Sequence, residues 1–283
     1  TGVQTCALPI YFTTQSVREC ENNPQAASTL KSMLAEMGVG GLLLPERLGG
    51  LGLGMADAVV VQSELGRALA PLQFAETNVL GATVFAHTAS ALSEEIMSAL
   101  RSGALDLASA WQDSDSGLDP FGEAAVALSG EALNGRRAYV GHAPGLTEKL
   151  IVPARDESGA PALCLIDGGG KGVSATSTPN LADAHMATLS FADAPCIVLC
   201  RDEDARRIWT IAFDRMLIAL AAQAVGGAER ALETATEYAK TREQFGQPIG
   251  SFQAIAHYLA DAAVNVEGAD GLAELLARLG VLG

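Results

Sequence analysis

A short run near the end of the sequence carries residue types that could bind an anion and a flat ring. In TREQFGQPIGSFQ these residues are Arg242, Gln244, Phe245 and Gln253. A guanidinium offers a planar fork of donors to a diphosphate, and an aromatic ring can stack on a planar ligand. Amide side chains can bond ribose or phosphate oxygens. The run therefore predicts an anion-binding turn; the alternative is a solvated helix end with Phe245 packed as a plug.

Two helical patterns flank this run and must hold it in place. The segment 203–243 before it is long and largely helical, and the segment after it begins at SFQAIAHYLADAA. In the second segment the apolar positions recur at helical spacing. A short connection makes two helices antiparallel neighbours, so we expect a C-terminal four-helix-bundle domain over 203–283. The run LARLGVLG ends the chain without a capping element, so we expect this bundle to be incomplete and the chain a fragment.

The rest of the chain divides by periodicity. Residues 11–103 read as a helical domain, with AASTLKSMLAEMG and MADAVVVQSELGRALA as its clearest helices. Residues 104–202 hold strand-sized apolar runs between turn signals, which predicts a small β-barrel or sandwich domain. These runs are AAVALSG, RAYVGHA, KLIVPARD, PALCLID, GVSATST, ATLSFADA and CIVLC. LNGRR and RDESGAP are interpreted as hairpin turns, and IDGGGKG as a flexible hairpin without phosphate-loop spacing. The fold class is thus α+β, mainly α.

Composition excludes several classes of protein. The net charge is −15 and the sequence pI is about 4.6, which disfavours nucleic acid and anionic membranes as partners. No uninterrupted apolar run reaches transmembrane length. The five cysteines match no metal or disulfide spacing, so we expect no metal and reduced thiols in a bacterial cytoplasm. The first ten residues, TGVQTCALPI, fit no element and are interpreted as a non-native, adapter-derived tail.

Two distant motifs carry a family resemblance. The run AVGGAERALETATEYAKTREQFGQPIGSFQAIAHYLADA resembles the C-terminal signature of the acyl-CoA dehydrogenase family, and GVGGLLLPERLGGLGLG followed by ELGR resembles its N-terminal loop and helix. The resemblance implies FAD-dependent α,β-dehydrogenation of an acyl-CoA thioester in fatty-acid or lipid metabolism. It also implies that Arg242, Gln244 and Phe245, joined by Gln253, reach the FAD of a neighbouring subunit. The implied partners are an electron-transfer flavoprotein or similar acceptor and further subunits in a homo- or hetero-oligomer, a dimer or tetramer.

The β-domain departs from the family pattern at its flavin contacts. The family loop Thr-Glu-x-x-x-Gly-Ser-Asp is matched by ASAWQDSDSGLDP, where Trp111 stands near the usual Thr and Ser114–Ser116 replace the Gly-Ser-Asp run. In NGRRAYVGH, Tyr139 stands where the family has the Trp that backs the flavin, and Gly141 stands at a Thr that bonds it. The resemblance implies weakened flavin contacts here, and the alternative for Tyr139 is cross-strand packing.

The catalytic base is not identified by the sequence. The family places its base either late in the bundle, expected beyond Gly283, or on the long helix, where the alignment puts Met216. A thioether cannot abstract a proton. Phe213 and Asp214 are possible contacts to the CoA arm; Asp214 could instead be a solvated helix residue paired with Arg215 or Lys240. The chain is therefore either an acyl-CoA dehydrogenase or a non-catalytic partner subunit that completes the FAD site of another chain.

Overall fold

The computed structural model describes most of the chain. The described residues are 14–22, 27–113, 119–122, 126–141, 148–178 and 186–279. The predicted tail at residues 1–10 and the Ser114–Ser116 part of the predicted flavin loop lie outside them. The described residues form two compact units. One comprises those within 14–22, 54–72 and 217–279, and the sheet-containing unit comprises those within 27–53 and 73–216.

Helices occupy the N-terminal third, as the 3.6-residue periodicity predicts. They are α1 (Thr14–Asn22), α2 (Ser28–Glu36), α3 (Met55–Arg67), α4 (Ala82–Thr88) and α5 (Glu94–Arg101). Helix α2 confirms the prediction from AASTLKSMLAEMG, and the expected stop at Gly38 has a left-handed φ of 77°. Helix α3 confirms the prediction from MADAVVVQSELGRALA. A π-helix, Ala75–Gly81, leads directly into α4.

The central segment forms one sheet from the described strands. They are β1 (Leu107–Ser109), β2 (Val126–Ser129), β3 (Ala132–Gly141), β4 (Lys149–Asp156), β5 (Pro161–Asp167), β6 (Val173–Ser177), β7 (Met186–Pro195) and β8 (Ile197–Arg201). Their order is β6-β7-β3-β2-β4-β5-β8, with β1 pairing parallel to the first half of β4. The sheet packs a core that includes Leu128, Leu133, Val152 and Leu189. The two end strands, β6 and β8, do not pair, so this sheet is open and not a closed barrel.

Two turn predictions in this segment are wrong. LNGRR is not a hairpin turn, because β3 runs through it and pairs with β7 on both sides of Gly135. The glycine instead has a φ of 135° at an irregularity in the strand. IDGGGKG is not a hairpin either, because β5 pairs with β4 and β8 whereas β6 pairs with β7. RDESGAP does form the β4–β5 hairpin, closed by the Asp156 N–H donating to the Ala160 carbonyl oxygen at 2.9 Å.

The C-terminal segment is helical, as expected. Helix α6 (Asp202–Thr241) has 40 residues, and α7 (Gln253–Arg278) follows a turn with two short strands, β9 (Glu243–Gln244) and β10 (Gln247–Pro248). Helices, then a sheet, then helices is the mainly α, α+β order that the sequence predicts.

One compact unit contains α3 and the second half of α6, which approach each other closely. A Cβ on Gly66 would lie 2.1 Å from the Gln223 carbonyl oxygen, and a Cβ on Gly226 would lie 2.0 Å from the Ser63 carbonyl oxygen. Real side chains cannot occupy those distances, so glycine at both positions lets the two backbones touch.

Helix α6 is long and apolar enough to cross a membrane by length and composition alone. Its most apolar window has a mean hydropathy of 1.4, and 44% of that window is buried inside the protein. A buried core helix meets the same criterion, so this property is weak evidence for a membrane segment.

Candidate functional site

The turn between α6 and α7 presents its predicted residues to solvent. Gln244 and Gln247 are paired across the antiparallel strands β9 and β10, and Phe245 and Gly246 form the tip. Both tip residues have positive φ, 54° and 77°, as the central residues of a type I′ turn do. The Ile249 N–H donates to the Arg242 carbonyl oxygen at 2.8 Å and closes the turn. The sequence therefore builds a tight, backbone-bonded loop.

The side chains of this turn are free to meet a ligand. Phe245 is 93% exposed, and its ring meets Phe252 edge-on with 6.2 Å between centroids. Phe245 is therefore not a plug that fills the turn. Arg242 and Gln253 are exposed, and among the described residues the Arg242 guanidinium forms no ion pair. The Gln244 amide donates only to the neighbouring Glu243 carbonyl oxygen, at 2.8 Å.

A second group of predicted residues meets where the sheet adjoins the first half of α6. The Trp111 ring lies 4.8 Å from the Phe213 ring at 71°, an edge-to-face contact. Phe213 also stacks on Trp209, one helical turn earlier, at 5.6 Å and 23°. Such pairs contribute about 0.5–1.5 kcal/mol each beyond area burial. We call Trp111, Trp209 and Phe213 the ring cluster.

Tyr139 lies beside the loop that carries Trp111. The Ala138 N–H donates to the Gln112 carbonyl oxygen at 2.9 Å, which ties β3 to that loop. The register of β3 with β7 shifts between Arg137 and Val140, so Tyr139 sits in a β-bulge. Tyr139 has a φ of 55° and is 52% exposed, whereas cross-strand packing would keep it in register. Bulges re-aim side chains near active sites, and this one turns Tyr139 outward.

Gly141 and the polar anchors of β1 complete this region. Gly141 is half-buried and pairs with Met186; it offers no hydroxyl at the position where the family pattern has Thr. The Ser109 N–H and Oγ both donate to the Glu76 carboxylate, at 3.0 and 3.2 Å. Glu76 lies in the π-helix, and its role was missed because nothing local in the sequence links it to Ser109, 33 residues later. These two hydrogen bonds hold the end of β1, the strand that precedes Trp111 in the sequence.

Three residues of α6 are candidates for a substrate contact or for the position of the base: Phe213, Asp214 and Met216. Asp214 and Phe213 are half-buried, and Asp214 forms no ion pair with Arg215 or Lys240 among the described residues. Met216 is 3% exposed, so its thioether fills the core. This chain therefore offers no proton acceptor at the position of Met216.

The cysteines that the structure describes do not form a metal-binding group. Of the five, the described ones are free thiols: Cys20, Cys164, Cys196 and Cys200. The Cys196 thiol shares a hydrogen bond with Cys164, which raises the pKa of Cys164, and burial raises the pKa of Cys200 to about 11. Within the described ranges, no group of three or more His, Cys, Asp or Glu side chains could hold a metal ion.

Comparison with known proteins identifies the family. Residues 13–104 match the acyl-CoA dehydrogenase N-terminal domain, and residues 207–280 match the acyl-CoA dehydrogenase C-terminal domain. These matches together cover more than half of the sequence, and the chain belongs to the acyl-CoA dehydrogenase family.

Individual relatives agree with this assignment. The chain is 32% identical over 237 residues to acyl-CoA dehydrogenase FadE27 of Mycobacterium tuberculosis, covering 83% of this chain and 62% of that protein. It thus spans less than two thirds of that relative. The ChsE4–ChsE5 complex from Mycobacterium tuberculosis matches with a TM-score of 0.84 and 28% identity, over 98% of this chain and 76% of that chain. A Tcur3481–Tcur3483 steroid ACAD variant matches with the same TM-score and identity, over 99% and 77%.

Proposed function

We propose that this chain forms part of an FAD-dependent enzyme that α,β-dehydrogenates an acyl-CoA thioester and passes the electrons to an external flavoprotein acceptor. The observation that carries the proposal is the exposed turn after α6. It pairs an arginine that has no ion-pair partner in the described chain with a ring that is 93% exposed. An exposed cation beside an exposed aromatic surface suits a ligand with a charged group and a flat ring.

The described residues fit FAD in two separate places. At the turn, Arg242 would hold the diphosphate, Phe245 would cover a ring, and Gln244 and Gln253 would bond ribose or phosphate oxygens. In the sheet region, Trp111 and Tyr139 supply aromatic surface for the flavin ring. Gly141 supplies no hydroxyl, so the sheet side holds the ring by contact area. When bound, FAD accepts the β-hydrogen of the substrate as hydride.

The chain's own contribution is to bind and orient. The turn is proposed to serve the FAD of a neighbouring subunit, which makes an oligomer part of the proposal. Phe213 and Asp214 are proposed to contact the CoA arm. A cytoplasmic location in a bacterium is also proposed, because the described cysteines are all free thiols.

A second function, that of a non-catalytic partner subunit, is favoured by Met216. A dehydrogenase needs a carboxylate that removes the α-proton, and the sequence alignment puts this buried thioether at one of the two places for it. In this alternative, the chain lends Arg242 to the FAD site of a different subunit that carries the base. The ChsE4–ChsE5 complex, whose name gives two different proteins, is consistent with such a pairing.

One expression experiment separates the two functions. The chain is purified alone and together with a dehydrogenase-like protein encoded beside it, and flavin absorbance is recorded before and after anaerobic addition of acyl-CoA. The acyl-CoA compounds tested include straight-chain and steroid side-chain thioesters. A yellow chain that bleaches alone supports the enzyme, whereas flavin retained only in the co-expressed complex supports the partner subunit. A colourless preparation in both cases contradicts the proposal as a whole.

A further inference from the structure

Arg137, on β3, is a charged side chain enclosed in the sheet-containing unit. It is 0% exposed, the largest side chain among those that are fully buried. Its Nη2 donates to the carbonyl oxygens of Pro120 and Pro153, at 2.7 and 2.8 Å. Its Nε and Nη1 have no hydrogen-bond acceptor among the described residues. Burying a guanidinium whose Nε and Nη1 donors are unbonded costs free energy, so another favourable interaction must offset that cost.

The compensating charge comes from Asp113. Burial lowers the pKa of Arg137 to about 10, and the nearby negative charge of Asp113 opposes this shift. Arg137 therefore stays charged at neutral pH. Asp113 is itself only 8% exposed. Loss of either charge would leave the other less compensated in this buried environment, so the two groups are electrostatically coupled.

Both partners adjoin the residues that carry the aromatic surface. Asp113 follows Trp111 by two residues, and Arg137 precedes Tyr139 by two residues. Between them, the hydrogen bond from the Ala138 N–H to the Gln112 carbonyl oxygen joins the two segments. Arg137 also ties this pair of segments to β4 through Pro153. The buried guanidinium is thus bonded into the part of the sheet from which the two ring-bearing segments extend.

We propose that Arg137 is a positioning residue, which acts through Asp113 and the carbonyl groups of Pro120 and Pro153 to hold Trp111 and Tyr139 in the arrangement that receives the flavin ring. This inference rests on the proposed function, since it names a residue that shapes the same site. Both hydrogen bonds of the Arg137 side chain come from one nitrogen, Nη2, so a lysine ammonium at that place would keep the charge and part of the role.

The test compares neighbouring arginines on one strand. Arg137→Met removes the buried charge, Arg137→Lys keeps it, and Arg136→Met changes an exposed arginine on the same strand as the matched control. The readouts are tryptophan emission, acrylamide quenching, FAD affinity by titration and thermal melting. The only two tryptophans, Trp111 and Trp209, both belong to the ring cluster, so their emission reports its geometry.

The proposal predicts a graded result. Arg137→Met should red-shift the emission, raise acrylamide quenching about twofold and weaken FAD binding at least tenfold, since a buried charged partner is lost. Arg137→Lys should recover more than half of each change, and Arg136→Met should match the wild type. A folded Arg137→Met variant with wild-type emission and FAD affinity within twofold of the wild type overturns the proposal.

The test of the positioning role also gives an answer when the Arg137→Met variant does not fold. If Arg137→Met does not fold, Asp113→Asn replaces it: a folded variant with red-shifted emission supports the proposal, and an unchanged spectrum overturns it. If neither variant folds, Arg137 supports the fold as a whole, and the positioning role is wrong. If the wild-type chain and its co-expressed complex bind no FAD while the emission shifts as expected, the proposed function fails and the positioning of Trp111 stands.

Discussion

The turn after α6 and the ring cluster both present aromatic side chains, but they differ in exposure and in the contacts that hold them. At the turn, Arg242, Gln244 and Gln253 are exposed and Phe245 is almost fully exposed. In the ring cluster, Trp111 and Phe213 hold each other at 4.8 Å and Trp209 is nearly buried. The turn is thus closed by backbone bonds, with side-chain contacts, among the described residues, only between its own members, whereas the ring cluster is organised by its side chains. The turn therefore leaves its side chains exposed to solvent, whereas the rings of the cluster already contact one another within the chain.

The largest expected effect comes from disturbing the helices behind the turn. Gly226→Ala should destabilise the chain by about 2–3 kcal/mol, because its new Cβ would lie 2.0 Å from the Ser63 carbonyl oxygen. Gly227→Ala is the matched control, since its Cβ would lie 3.7 Å from the nearest atom and helix propensity favours alanine by up to about 1 kcal/mol.

Thermal melting of both glycine variants measures this difference. If the two variants melt at the same temperature, the close approach of α3 and α6 is wrong. Tryptophan emission sharpens the comparison, because Trp111 and Trp209 belong to the other unit. Emission that stays at the wild-type position while the melting temperature falls would show that the two regions are held by different contacts.

The next largest effect is on cofactor retention at the turn. Arg242→Ala should weaken FAD binding by the oligomer about ten- to a hundredfold, since a hydrogen bond to a charged group contributes about 1.5–3 kcal/mol. The melting temperature of the cofactor-free chain should not change, because Arg242 is exposed. FAD that co-elutes in gel filtration gives the measurement. Arg278→Ala, an exposed arginine of the same unit that pairs with Glu274, is the control; equal flavin content in both variants contradicts the diphosphate role.

A smaller effect is expected at the ring cluster. Phe213→Leu keeps much of the side-chain volume but removes the ring contacts with Trp111 and Trp209. The expected loss is about 1 kcal/mol of stability, together with altered tryptophan emission. Phe245→Leu is the contrasting variant and should leave both quantities unchanged in the cofactor-free chain, because Phe245 is 93% exposed. Equal losses in the two variants would remove the distinction between the regions.

The smallest effect is a pH dependence confined to the sheet-containing unit. Partial desolvation lowers the pKa of His87, whose side chain is still exposed, and the positive charges of Arg207, Arg215 and Arg47 lower it further, against Asp204. The unfolded chain therefore binds this proton more tightly, and stability falls as the pH drops below the ordinary value of 6.5. His87→Gln should flatten this part of the stability curve, measured by urea unfolding at pH 5.0–7.0. A parallel curve for the variant would assign the dependence to other groups.

Local patterns predict the helices and most strands of this fold, but not the contacts that cross the sequence. The helices α2 and α3 follow from apolar spacing, and the glycine stop after α2 is observed at Gly38. Strand β1 was missed because it has three residues and is held by Thr77 and Glu76 from a distant helix. The Asn-Gly pair in LNGRR is a hairpin signal, but pairing of β3 with β7 overrides it.

The candidate site likewise combines residues that local patterns predict with contacts that they do not predict. The residue types that suit FAD could be read from TREQFGQPIGSFQ, because their spacing is local. The electrostatic coupling of Arg137 to Asp113 depends on how β3 meets the loop after β1, which no local pattern encodes. The same is true of the Tyr139 bulge, since a strand pattern does not reveal where its partner strand is one residue shorter.

The left-handed backbone at Tyr139 and Phe245 has a consequence for engineering. Their φ values of 55° and 54° are ones that glycine adopts freely and an aromatic residue adopts at a cost of about 1–2 kcal/mol. A search for stabilising substitutions would therefore select glycine at the two places where the proposed site presents an aromatic ring. Thermostability and ligand binding are thus expected to be opposing design goals at these two positions. Relatives that have glycine at both positions are expected to have lost ligand binding.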